Sequence, residues 1–177
     1  MNKYLMFFLT IIPMLSVAAD KSPPADQDGL CVAKVQHLPQ GDVMVWQHLF
    51  DDGVFDLAIA QVIDGQPVHL TRLSFKGSKV AMCHFPVFVV MKGGDWGWHI
   101  AWSSLHKQAI YYARVDREMW VSSLPKKIRN EPTDFLELTG KDGLLMLKYV
   151  DKPGLNPALS IATSADEGRS WDLPPQQ

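Results

Sequence analysis

A tight turn between two β-strands is indicated by the stretch Ser164-Ala165-Asp166-Glu167-Gly168-Arg169-Ser170-Trp171. The Asp166 carboxylate can accept hydrogen bonds from backbone amides of its own turn, and Gly168 permits a positive φ where the chain bends most. The Ser164 hydroxyl adds a polar contact, and Trp171 supplies a ring that can pack beneath the turn. We therefore predict a structural turn that joins two antiparallel strands.

Two earlier stretches share part of this pattern. Residues 50–55 (FDDGVF) contain an acid, a glycine and aromatic rings, and residues 111–120 (YYARVDREMW) contain the acid and the tryptophan without the glycine. The three turns fall near residues 52, 117 and 168, a spacing of roughly 50–65 residues that is typical of one four-stranded sheet with its connections. The pattern predicts a repeated unit built of hairpins.

The rest of the chain consists of short β-type segments separated by turn residues. The dipeptides Asp52-Gly53, Asp64-Gly65, Gly93-Gly94 and Asp142-Gly143 are typical of hairpins, and no long stretch has a helical period. Residues 126–134 are predicted to be a polar loop, because Pro132 would interrupt a helix. We predict an antiparallel all-β fold with strands near residues 31–36, 43–50, 54–63, 67–75, 79–83, 87–92, 97–104, 109–115, 118–123, 134–139, 144–149 and 158–163.

The stretch of residues 164–171 resembles the Asp box, S-x-D-x-G-x-x-W, of sialidase-like β-propellers. The resemblance implies a small propeller of about three blades, or an open fragment of one, and structural roles for Ser164, Asp166, Gly168 and Trp171. In that family the box usually lies away from the active site. An active sialidase needs three arginines, a tyrosine–glutamate pair and an acid aspartate on about six blades, whereas this chain has 177 residues and five arginines. A reduced sialidase-like hydrolase is therefore the less favoured interpretation.

Residues 1–19 have the pattern of an export signal. Lys3 is followed by the apolar residues 5–17, which are too few to span a bilayer comfortably, and small residues 17–19 precede a cleavage site. An uncleaved membrane anchor is the alternative. Residues 20–30 are predicted to be a flexible arm, and residues 31–177 a single all-β domain. We expect a periplasmic protein with no membrane segment after signal cleavage.

The formal net charge narrows the classes of partner, and the two cysteines bear on the covalent structure. The chain has 17 basic and 19 acidic side chains, and loss of Lys3 with the signal shifts the formal net charge from -2 to -3, so nucleic acid is not an expected partner. Cys31 and Cys83 are predicted to form a disulfide in an oxidising compartment. The alternative, a nucleophilic cysteine, has no other sign of thiol chemistry to support it.

Sequence templates for catalysis are absent. There is no G-x-S-x-G, H-E-x-x-H or P-loop, and the six histidines are scattered, so we expect no enzyme, cofactor or metal site. Two segments are candidate contact surfaces, a glycine-rich turn with two tryptophans and a polar hairpin tip. Their residues are Trp96, Trp98, His99, Ser103, Ser104, Leu105, His106 and Lys107. The alternatives are that the tryptophans belong to the core and that the tip is a plain solvated turn.

The most favoured function is inhibition of an exported enzyme, because rigid loops lose little entropy on binding. In size, export signal and β content the chain is similar to the periplasmic immunity proteins of type VI amidase effectors. This similarity implies a cell-wall-degrading toxin as the partner and a loop that enters its active site, for which residues 103–107 are the candidate. The alternative is a carbohydrate- or peptidoglycan-binding envelope module in which Trp96 and Trp98 stack on sugar rings.

Overall fold

The computed structural model describes residues 33–75, 77, 79, 87–104, 107–151 and 157–174. Several predictions fall outside these residues and stay predictions. They are the export signal at 1–19, the arm at 20–30, the Cys31–Cys83 disulfide, most of the strand at 79–83, and the placement of Leu105 and His106.

The described residues form eleven strands in three antiparallel sheets. The first sheet contains β1 (Lys34–Gln36), β2 (Asp42–Leu49), β3 (Phe55–Ile63) and β4 (Gln66–Arg72). The second contains β5 (Phe88–Gly93), β6 (Gly97–Ser104), β7 (Ala109–Asp116) and β8 (Lys126–Arg129). The third contains β9 (Leu136–Lys141), β10 (Leu144–Asp151) and β11 (Ala158–Ser164). No membrane-spanning helix occurs in the part of the chain that these strands and their turns make up.

Each sheet is a meander, in which every strand pairs with the next strand along the chain. This arrangement confirms the prediction of an antiparallel all-β fold. The predicted turn dipeptides at 64–65 and 142–143 have positive φ at both residues, which matches the twist of the strands that they join.

The second sheet lies between the other two and packs against both. One core cluster joins it to the first sheet and another joins it to the third. The side chains of β6 alternate accordingly, with Trp98, Ile100 and Trp102 in the cluster shared with the first sheet and Ala101 in the other. A strand with both faces covered is consistent with the burial of residues 97–103 along their whole length.

Polar contacts also connect neighbouring sheets. The Gln36 side chain on β1 exchanges two hydrogen bonds with the backbone of Val90 on β5, at 3.0 and 2.9 Å. Arg129 on β8 forms an ion pair with Asp151 on β10, with 2.8 Å between nitrogen and oxygen. The three sheets are therefore held by specific contacts as well as by apolar packing.

The strand predicted at residues 118–123 is wrong. These residues form a turn followed by a single bridge between Val115 and Ser122. The reason is local: the Asp116 carboxylate accepts hydrogen bonds from the amides of Trp120 and Val121, so those amides do not join a strand ladder.

The loop predicted over residues 126–134 is wrong in its first half. Lys126–Arg129 is β8, paired with β7, with Ile128 buried in the core and Arg129 in its ion pair with Asp151. Pro132 does prevent a helix, but it lies beyond the strand and does not prevent these four residues from pairing.

Candidate functional site

One edge of the three-sheet stack gathers turns of the second and third sheets, and we call it the turn edge. It contains the β5–β6 turn (94–96), the β7–β8 connection (116–124), the β9–β10 turn (142–143) and the Ser164–Trp171 turn. The first, third and fourth of these line one shared cleft. The second lies beside them, because the Trp98 indole at the start of β6 donates a hydrogen bond to the Arg117 carbonyl.

Residues 116–124 form a turn that is fixed from within, and we call it the tryptophan turn. The Asp116 carboxylate accepts hydrogen bonds from the amides of Trp120 at 2.6 Å and Val121 at 3.1 Å. The Asp116 carbonyl accepts a third from the amide of Met119. Met119 has a φ of +58° and is buried between the first and second sheets. The backbone of this turn is therefore held in one conformation.

Residues of β4 in the first sheet also form hydrogen bonds with the tryptophan turn. The Thr71 hydroxyl donates to the Met119 carbonyl, and the Ser122 hydroxyl donates to the Arg72 carbonyl at 2.6 Å. Strands β3 and β4 shift register between Ile59 and Gln61, opposite His69, which has a φ of +56°. Such a bulge redirects a side chain, and the His69 ring lies 4.3 Å from the Trp120 ring, measured between centroids.

Three large apolar side chains on the tryptophan turn face solvent. Trp120 is 64% exposed, Val121 57% and Leu124 76%. Scattered exposed apolar residues are common on protein surfaces, but these three are close in sequence and lie on a backbone that many hydrogen bonds fix. The arrangement can insert a preformed apolar projection into a concave surface.

The Ser164–Trp171 turn has the hydrogen bonds that its sequence predicts. The Asp166 carboxylate accepts from the Ser170 amide at 2.7 Å and from the Ser170 hydroxyl at 2.6 Å, and the Ser164 hydroxyl accepts from the Gly168 amide. The hydrogen bonds from Ser170 hold the pKa of Asp166 well below its usual range. The Trp171 ring packs edge-on against Tyr112 in the core between the second and third sheets.

The tryptophan turn uses the same hydrogen-bonding scheme fifty positions earlier. In both turns the aspartate carbonyl accepts from the amide three residues later and its carboxylate accepts from the amide four residues later. Residues 50–55 differ, because there Asp52 accepts from the amide of Val54, two residues later, within a β2–β3 hairpin. Of the two partial echoes in the sequence, the one without the glycine is therefore the structural repeat.

A buried polar chain lies beneath the cleft of the turn edge. His99 Nε2 is 3.1 Å from the Gly93 carbonyl oxygen, which can only accept, so Nε2 carries the proton and His99 Nδ1 accepts from the Tyr112 hydroxyl at 2.6 Å. Burial lowers the pKa of His99 and raises that of Tyr112. Both groups are thus neutral and join β6 and β7 rather than facing a ligand.

The cleft itself has a volume of about 590 Å³ and is polar. Its walls include Asp95, Asp142, Asp166, Glu167 and Arg169 and contain no aromatic side chain. The Glu167 carboxylate accepts a hydrogen bond from the Asp95 amide at 2.8 Å, which joins two of the turns. No group of three or more metal-ligating side chains occurs within the described ranges.

The residues that the sequence predicts as a contact surface do not form one exposed surface in the structure. Trp98, His99 and Ser103 are buried. For Trp98 this agrees with the alternative interpretation, in which the tryptophan belongs to the core. The Ser103 hydroxyl accepts a hydrogen bond from the Thr133 amide at 2.8 Å. Trp96 is partly buried. At the opposite edge, Ser104 accepts from the Lys107 amide at 3.2 Å.

Sequence reasoning missed Trp120, Val121 and Leu124 as surface residues. The pattern of residues 118–123 predicts a strand, where alternate side chains are expected to be buried. The available signal was the partial similarity of residues 111–120 to the Ser164–Trp171 turn, which places an aspartate before a tight reversal.

Comparisons with known proteins add no relationship. No protein-family model matches the chain, and no curated protein matches it either.

Proposed function

We propose that this chain is an exported, non-enzymatic protein that inhibits a secreted cell-wall hydrolase, in the manner of the immunity proteins of type VI amidase effectors. The observation that carries the proposal is the tryptophan turn, a fixed backbone that presents Trp120, Val121 and Leu124 to solvent. A hydrolase offers a concave active-site cleft, and this projection has the shape and chemistry to enter one.

Physical considerations favour this surface for tight binding. Tryptophan is enriched among the residues that dominate protein interfaces, and its burial on binding removes a large apolar area from water. The hydrogen bonds of Asp116, Thr71 and Ser122 fix the turn before any partner arrives. Little conformational entropy is therefore lost on association.

We further propose that the three sheets are blades of a small sialidase-like propeller or of an open fragment of one. Support comes from the consecutive antiparallel sheets and from the shared hydrogen bonds of the Asp116 and Asp166 turns. In this arrangement the Ser164–Trp171 turn is a structural Asp box, and the contact surface uses a second turn of the same design.

The function is tested by measuring binding to a candidate cell-wall hydrolase, sought among the products of the genes that flank this chain's own gene. Trp120→Ala is expected to weaken binding by at least about tenfold, since such anchors contribute about 2 kcal/mol or more. Leu159→Ser is the matched control, because Leu159 is a large apolar side chain with a similar exposure, 61%, but it lies on β11, away from the tryptophan turn. Titration calorimetry, with inhibition of muropeptide release as a second readout, checks both variants.

The polar hairpin tip at the opposite edge gives the contrasting result. If a Ser104→Gly/Lys107→Ala variant loses affinity while Trp120→Ala keeps it, the contact surface lies at that edge instead. If none of these variants alters binding and the hydrolase stays fully active, the inhibitor function is wrong.

A glycan-binding function is the second candidate, and the polar cleft of the turn edge is the observation that favours it. Its weakness is that Trp98 is buried and that no aromatic ring lines the cleft, since sugar rings usually stack on aromatic faces. Co-sedimentation with purified peptidoglycan distinguishes it from the inhibitor function.

A further inference from the structure

The guanidinium of Arg114 has no carboxylate partner among the residues that the structure describes. Arg114 lies on β7 opposite His99 and is only partly exposed. Its Cζ is 4.5 Å from the centroid of the Trp96 ring. Its Nη1 is inaccessible to water and has no hydrogen-bond acceptor, and no ion pair within 4.0 Å joins it to an acid of the described segments.

Two other arginines of this protein have partly buried guanidinium groups, and each is paired with at least one carboxylate. Arg72 pairs with both Asp52 and Asp56, and Arg129 pairs with Asp151. Buried charges are normally paired because their desolvation is costly. Arg114 departs from this rule, and the Trp96 indole N–H next to it also has no acceptor within the described part of the chain.

Three acids on neighbouring turns already accept hydrogen bonds within or between those turns. The Glu167 carboxylate accepts from the Asp95 amide, the Asp116 carboxylate from the amides of Trp120 and Val121, and the Asp166 carboxylate from Ser170. These bonds hold the turns together, so turning one of these acids toward Arg114 would open a turn.

Stacking prepares Arg114 for a ligand of a particular shape. Because Nη1 is inaccessible to water, a ligand would meet the guanidinium at its other donors, Nε and Nη2. These two donors form a fork that matches the two oxygens of a carboxylate. The contact with the Trp96 ring holds the guanidinium in place without a hydrogen bond to its N–H donors.

We propose that Arg114, stacked on Trp96, binds a carboxylate from an aspartate or glutamate side chain of the protein partner. The choice of a protein partner rests on the proposed function, whereas the carboxylate chemistry rests on the unpaired guanidinium alone. The site lies on the strand that leads directly into the tryptophan turn.

The test uses a small probe and the intact protein. N-acetyl-glutamate N-methylamide is titrated while the Arg114 Nε–Hε and Trp96 indole signals are followed by NMR, with the N-acetyl-glutamine analogue as the neutral control. We expect saturable shifts of both signals with the glutamate probe only. Arg114→Lys is expected to weaken probe binding at least about fivefold, because an ammonium cannot form the bidentate pair. Lys127→Gln, which removes an exposed cation on β8, is the control and is expected to leave probe binding unchanged.

Equal shifts with the glutamine analogue, no saturation up to about 50 mM probe, or full binding by Arg114→Lys would each overturn the proposal. Arg114→Gln is a second variant in case the lysine variant does not fold. The outcome is independent of the inhibitor function, because carboxylate binding at Arg114 can fail while Trp120→Ala still weakens hydrolase binding.

Discussion

Gly168 shows at the scale of one residue why the Ser164–Trp171 turn needs its sequence. Its φ is +79°, and a Cβ at this position would overlap the ring and hydroxyl of Tyr112. Two separate requirements, backbone conformation and close packing, therefore select glycine. The sequence predicted the first, because it depends only on local turn chemistry, but the contact with Tyr112 comes from a distant strand, β7.

A pair of glycine variants separates these two requirements. Gly143 has a φ of +81°, and a Cβ added there would have no other atom within 4 Å, so Gly143→Ala is expected to cost only the conformational term of about 1–2 kcal/mol. Gly168→Ala is expected to cost about 3 kcal/mol or more, because steric overlap is added. Urea unfolding at pH 7 measures both, and equal losses would show that Tyr112 moves aside without cost.

Arg114 and Trp96 lie beyond what residue-level reasoning could find. Nothing in the local sequence shows that one arginine lacks a partner while Arg72 and Arg129 have theirs. That distinction depends on which acids the fold brings close and which its turns already use.

At the scale of the element, β6 was predictable and the connection after β7 was not. The strand predicted at residues 97–104 is observed over the same residues, and the burial of residues 97–103 follows from its position between two sheets. Residues 118–123 also include apolar side chains and were predicted as a strand. Two of their amides instead donate hydrogen bonds to the Asp116 carboxylate, so no strand forms there. One side-chain hydrogen-bond acceptor outweighed the strand propensity of the residues that follow.

His99 gives β6 a dependence on pH. Its pKa is lowered by burial, whereas an unfolded histidine has a pKa of about 6.5. As pH falls below about 6.5 the unfolded chain binds a proton that the native chain does not, so the free energy of unfolding decreases. His99→Gln is expected to flatten this decrease between pH 7.0 and 5.5.

Urea unfolding across that pH range checks the expectation. His37→Gln, on the exposed β1–β2 turn, is the matched control and should leave the contribution of His99 in place. An unchanged slope in His99→Gln would mean that His99 takes up a proton as readily in the native protein as in the unfolded chain.

At the scale of the whole molecule, the sequence predicted the antiparallel all-β class of fold and two of the three related turns, but not which residues join the sheets. The ion pair between Arg129 and Asp151 links the second and third sheets, with side chains only 6% and 13% exposed. Arg129 falls in a segment whose pattern predicts a loop, so its partner could not be anticipated. Contacts between sheets depend on packing that no local pattern encodes.

Breaking this ion pair is expected to weaken the attachment of the third sheet. Arg129→Met leaves Asp151 buried without a counter-charge, which typically costs about 3–5 kcal/mol. The double variant Arg129→Met/Asp151→Leu removes both charges and is expected to recover most of that loss. Thermal and urea unfolding measure the three proteins, and a double variant no more stable than the single one would contradict the buried-charge explanation.

The sandwiched position of the second sheet also has a consequence for biosynthesis. Its strands leave the ribosome before those of the third sheet, so Tyr112 and Ile128 have no covering layer until residues 136–164 have been made. A nascent or truncated chain would display a broad apolar sheet face, which favours aggregation. Completion of the third sheet covers this face, so β9 to β11 protect the finished molecule from self-association.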